Sequence, residues 1–213
     1  MANHAERVPM PRRVVGFTVV ELMVTVLVLA ILLAVAVPSF RSTMRRGSVA
    51  NAMNTISGDM QFARGQAASQ HRFVSLCRSA DGATCAVTST SPYNYDVGWI
   101  VYSYDVTAAG ANQVYSATSG NMDILRTQAA LKGVSLRATD TAVITFNQTG
   151  GFVTTGATRT QLTFVACSRP KGSETVDSAA GTSDSGTQGT TMTLRASGSI
   201  IVNPLPVGSS CVP

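Results

Sequence analysis

From Leu22 to Val37 the chain runs sixteen residues with no charge and one polar side chain, Thr25. Taken from Phe17 to Pro38 the run is 22 residues, and as a helix it rises about 33 Å, enough to cross a hydrocarbon core of about 30 Å. Beyond Pro38 the apolar positions become periodic. Val49, Met53, Ile56, Met60, Ala63 and Ala67 step by 4, 3, 4, 3 and 4, which predicts an amphipathic helix reaching to about His71 with one face for docking on a sheet. Gly47, Gly58 and Gly65 interrupt it at about 1 kcal/mol each relative to alanine. From Phe73 the period shortens to that of strands, with candidates at 72–77, 97–104, 134–138, 142–147, 160–167 and 191–202. Turn signals such as Asp81-Gly82, Gly150-Gly151 and Asn203-Pro204 separate them. In Leu162–Ala166 and Met192–Ala196 the large apolar residues alternate, so one face of each strand is expected under the helix.

Residues 172–191 break the pattern. Thirteen of these twenty are Gly, Ser or Thr, and Val176 is the one large aliphatic. Such a stretch buries too little surface to offset its ordering entropy, so a flexible surface loop is expected, more simply a tolerated insertion than a binding arm.

Composition narrows the class. With 45% hydrophobic and only 13% charged residues, and a mean hydropathy of +0.19, the chain is not disordered, and part of its apolar excess must face lipid. The net charge of +5 invites a nucleic-acid reading until it is located. Arg7, Arg12 and Arg13 against Glu6 give +2 in residues 1–16; Arg41, Arg45, Arg46, Arg64 and Arg72 against Glu21 and Asp59 give +3 in residues 17–72. The rest carries eight basic and eight acidic groups and sums to zero. The leading arginines keep the N-terminus cytoplasmic and send the chain beyond Phe40 across the membrane. Arg41, Arg45 and Arg46 then form a solvated cationic face near lipid headgroups.

A cleaved secretory signal is the rival reading, with Ala34-Val35-Ala36 as a weak cleavage site. Against it stands Glu21, a carboxylate one turn inside the apolar run, costly in a bilayer and functional there by default. The residues Arg13-Val14-Val15-Gly16-Phe17-Thr18-Val19-Val20-Glu21 resemble the processing site of type IV pilins and type II secretion pseudopilins. The resemblance implies that a prepilin peptidase cuts after Gly16, that Phe17 becomes the N-methylated first residue, and that Pro38 marks a helix bend. It also implies that Glu21 pairs with the Phe17 amine of a neighbouring subunit during filament assembly; a snorkelling, unpaired Glu21 is the alternative.

Four cysteines, Cys77, Cys85, Cys167 and Cys211, all follow the apolar run, on the oxidising side of the membrane. Of three connectivities the expected one joins Cys77 to Cys85 around Asp81-Gly82, and Cys167 to Cys211 at the tail. Chain entropy assigns these about 2.5 and 4 kcal/mol. A zinc site is the rival, but no Cys-x₂₋₄-Cys spacing exists.

The helix followed by Val74–Cys77, Asp81–Cys85, Gly98–Tyr102 and Ile144–Asn147 is similar to the heads of FimT/GspH-type minor pilins and pseudopilins. This implies an α+β, type IV pilin-like fold: leader 1–16, transmembrane helix half 17–40, amphipathic stalk 41–72, and a mainly antiparallel β head over 73–213 packed on the helix. It further implies a structural subunit in the bacterial inner membrane, head periplasmic, whose partners are the peptidase and other minor pilins or pseudopilins. The disulfides favour the pilus branch over the secretion branch.

Enzymatic chemistry is not expected. Of two histidines, His4 leaves with the leader and His71 ends the stalk; no nucleophile motif, metal spacing or phosphate loop is present, and no cofactor or metal is called for. Asp81, Asp96, Asp105, Asp123 and Asp140 read as turn or surface groups, and the sequon Asn147-Gln148-Thr149 as coincidence. Some FimT-type pilins take up DNA through a Gly-Arg-x-Arg element. Here the corresponding Ser197-Gly198-Ser199-Ile200-Ile201 lacks both arginines, leaving Arg195 alone, so DNA binding by this route is not expected.

Overall fold

The computed structural model describes residues 16–86, 93–105, 110–139, 143–154, 160–169 and 179–213. The chain divides after Arg41 into two units. Helix α1 is assigned from Val19 to Gln70, through Pro38. In the first unit its apolar residues are exposed, Leu27 at 61% and Leu32 at 62% for example. It is long and apolar enough to cross a membrane, and its most apolar window buries nothing against the described residues.

In the second unit the predicted seam is the core. Val49, Met53, Ile56, Met60, Ala63 and Ala67 are all buried, joined by Ala52 and by Asp59. The glycines Gly47, Gly58 and Gly65 have no packing neighbour where a Cβ would stand and leave the helix unbroken. His71 ends it with φ of 53°, the left-handed conformation that closes many helices.

Among the described residues nine strands follow: β1 Phe73–Arg78, β2 Tyr93–Asn94, β3 Trp99–Tyr104, β4 Met122–Gln128, β5 Val134–Ala138, β6 Ile144–Phe146, β7 Gln161–Ser168, β8 Thr190–Arg195 and β9 Ile200–Pro204. They form a four-stranded sheet ordered β4-β3-β1-β6 and a five-stranded sheet ordered β2-β5-β7-β8-β9. Every pairing among them is antiparallel. The helix seam shares one apolar cluster with Val74, Leu76, Trp99 and Val101 of the first sheet and Leu136, Phe164, Met192 and Leu194 of the second. Strands β1 and β3 are buried on both faces, because Phe73, Cys77, Ile100, Tyr102 and Tyr104 pack into a second cluster with Cys85 and Tyr115.

Three expectations change. The strand expected over 191–202 is a hairpin: Gly198 N–H donates to Arg195 O and Arg195 N–H to Ser199 O, with Gly198 at φ 77° making the turn. Of the loop expected over 172–191, residues 172–178 lie outside the described residues, and β8 already begins at Thr190. Residues 179–189 are tied down. Thr182 bridges to Ser210, Ser183 and Thr187 are buried, and Ser183 donates its hydroxyl to Leu205 O. Small hydroxyl side chains supply by hydrogen bonding what the segment lacks in apolar area.

The third change is Asp96. Instead of a surface turn it is fully buried, paired with Arg169 and 3.5 Å from Arg137, both guanidinium groups being buried too. This cluster joins the end of β2 to β5 and to the residue after β7. Asp140 lies outside the described residues, while Asp105 and Asp123 are exposed and share Arg72 at 2.8 and 3.0 Å. Removing one member of a buried ion cluster strands the others, at roughly 3–5 kcal/mol. Asp96→Asn is therefore expected to lower the stability of the second unit by about that amount, read in urea from the fluorescence of Trp99, the chain's one tryptophan.

Candidate functional site

The residues singled out for processing and assembly sit at the entrance of α1. Gly16, Phe17 and Thr18 precede the first helical turn, and Phe17 is 80% exposed. Thr18 Oγ1 accepts from Glu21 N–H at 3.2 Å, and Thr18 O accepts from Leu22 N–H at 3.1 Å. Thr18 is thus the N-cap and Glu21 the third helical residue, the Thr-x-x-Glu spacing of a capping box. That spacing is a signal the sequence reading left unused. Glu21 also lies where the helix dipole favours an anion. Its carboxylate makes no ion pair with the described residues. Around Gly16 no described atom comes within 4 Å of the position a Cβ would take, so local packing does not require glycine there.

The four cysteines form two bonds. Cys77 and Cys85 are joined with Cα atoms 5.6 Å apart, and Cys167 and Cys211 with Cα atoms 6.0 Å apart. The first loop is organised by Asp81, which accepts from the Thr84 hydroxyl at 2.6 Å, the Thr84 and Ala83 amides at 2.8 and 2.9 Å, and the Ser79 hydroxyl at 2.9 Å. The Thr84 hydroxyl, followed by the two amides and Ser79, holds this carboxyl well below the usual carboxylate range. The second bond ties the tail to β7, packing with Val165, Ala180 and Leu205.

One residue that fixes the stalk against the head was missed. Asp59 points into the buried seam and accepts from Trp99 Nε1 at 2.8 Å and from Arg126 Nη1 at 3.0 Å. The Arg126 guanidinium also lies 3.6 Å from the Phe62 ring centre, a cation–π contact. The available signal was its position, three residues after Ile56 and four before Ala63, on the apolar face. A second helix residue, Arg64, donates to Gly198 O at 3.2 Å. The turn at Ser197–Ser199 is therefore held by a cation from the stalk, beside the exposed Arg195.

A family model described as "Type II transport protein GspH" matches residues 52–183, more than half of the chain, and the chain belongs to that family. Fimbrial protein EcpC of Eikenella corrodens is 31% identical over 103 residues, 48% of this chain. The match spans 61% of EcpC, less than two thirds of its length. Among solved structures, the type IV minor pilin FimU of Pseudomonas aeruginosa is 19% identical, with 78% of this chain and 96% of that one covered and a TM-score of 0.49. The minor pseudopilin EpsH from the Type 2 Secretion System of Vibrio cholerae is 11% identical, with coverages of 74% and 97% and a TM-score of 0.35.

Asp59→Ala leaves the buried Trp99 N–H without its acceptor and is expected to cost about 1–3 kcal/mol in urea unfolding of the full chain in neutral detergent. Asp59→Asn, which keeps an acceptor, is expected to lose less.

Proposed function

We propose that this GspH-family chain is a non-enzymatic minor subunit of a type IV pilus, matured by prepilin peptidase after Gly16. The mature chain is held in the bacterial inner membrane with its head in the periplasm until it enters the filament, where it primes or caps assembly. The observation that carries this reading is the apolar half of α1. None of the described residues covers its most apolar stretch, so lipid before assembly and neighbouring helices after it are its natural solvents. That no described atom approaches the Cβ position of Gly16 supports a glycine kept for recognition by the peptidase.

Cleavage would leave Phe17 as the free, N-methylated amine one residue ahead of the Thr18 cap. A cation at that end of a helix is unfavourable beside the dipole and calls for an anion. Glu21 of an adjacent subunit supplies one, in a setting where a lone carboxylate is costly. The chain would then enter the filament in a register set by charge. The pseudopilin of a type II secretion system is the second reading, favoured by the description of the family as a type II transport protein.

Glu21→Ala is expected to insert and be cut normally yet be absent from sheared filaments, as seen by immunoblot; normal incorporation would sink the role given to Glu21. Photocrosslinking in living cells from Asn54, an exposed stalk position, separates the two filaments. Capture of type IV minor pilins is expected, and capture of pseudopilins would transfer the subunit to protein secretion.

A further inference from the structure

A cavity of about 350 Å³ opens between the start of the stalk and the loop before β5, lined by Arg45, Ser48, Lys132, Gly133, Ser168 and Arg169 among others. It adjoins a second of about 300 Å³ that shares Ser48 and Lys132. Both fall in the size range of small-ligand sites, roughly 300–1,000 Å³. Three cations and no carboxylate line the first cavity. Arg169 is buried and its charge is matched by Asp96. Arg45 and Lys132 are exposed at the mouth and make no ion pair among the described residues. Ser168 lines the cleft beside them, while the Ser48 hydroxyl donates to Met44 O at 3.0 Å and presents its oxygen as an acceptor.

Covalent geometry limits where this cleft can go. Arg45 follows Val37, the last residue of the apolar run, by eight residues, so it lies at most about 28 Å from it along the chain. A cationic mouth tethered within that distance of a membrane exit can reach lipid phosphates, and at an anionic surface each arginine or lysine gains about a fivefold factor. The guanidinium of Arg45 and the ammonium of Lys132 around a small concavity match the oxygens of a phosphodiester.

We propose that this cleft binds the phosphate headgroup of an anionic phospholipid in the leaflet that α1 leaves, holding the head against the membrane before assembly. The site rests on the membrane-anchored reading. That reading fails separately if the chain does not sediment with membranes, whereas the site is tested without a bilayer.

The full chain in neutral detergent is titrated with dihexanoyl phosphatidylglycerol, with dihexanoyl phosphatidylcholine, and with inorganic phosphate, following the amides of Ser48, Gly133 and Ser168 by NMR. Saturable shifts at these amides with the phosphatidylglycerol are expected, weakened roughly 10- to 30-fold in Arg45→Gln/Lys132→Gln. Unchanged Trp99 fluorescence in that variant reports an intact head. Equal response to the zwitterionic lipid, equal saturation by inorganic phosphate alone, no saturable shift, or an unweakened double variant would each overturn the proposal.

Discussion

Neither sheet of this molecule can keep its inner face dry without the helix. The seam from Val49 to Ala67 contributes to a single apolar cluster with strands of both sheets, so its burial is the condition on which the remaining order rests. At about 25 cal/mol per Å² this contact is the main favourable term available to a head with short strands, and it is non-directional. Direction comes from polar groups placed within it. Asp59, bonded to Trp99 and Arg126, and Arg64, bonded to Gly198, fix how far along and around its axis the helix sits. An apolar stripe alone leaves both coordinates soft.

The same division of labour separates the two halves of α1. Upstream of Arg41 the helix, Glu21 and a few small polar residues apart, is apolar and is left uncovered by the described residues; downstream it is striped and finds the sheets. One continuous element therefore meets two solvents, and the boundary between them is marked in sequence by the change from an unbroken apolar run to a step of three and four.

That change of period was plain to read, as were the strands whose side chains alternate. Less plain was β4, an edge strand paired to β3 across a register shift between Val101 and Tyr102. Its exposure runs in threes rather than twos, and a period-2 search passes over it. The hairpin after Thr190 was merged into one strand because its turn is built from Ser197 and Gly198 between two β-branched runs. The buried acids Asp59 and Asp96 were unreadable as buried for a general reason: a carboxylate enters a core only with its partner, and Arg126, Arg137 and Arg169 are brought there by topology rather than by spacing. For the capping residues the opposite holds. Thr18 and Glu21 are three apart, and their relation is local.

The bond between Cys167 and Cys211 bears on how the molecule carries tension. Strand β9 is the edge of its sheet, and an edge strand pulled from its end unzips one hydrogen bond at a time. Cys211 lies beyond β9 and is bonded to β7, the central strand of the five. A pull applied past Cys211 is passed across the sheet to β7, whose bonds to β5 and β8 must shear together before it yields. The covalent link thus turns the weakest line of the head into a seam that loads in parallel.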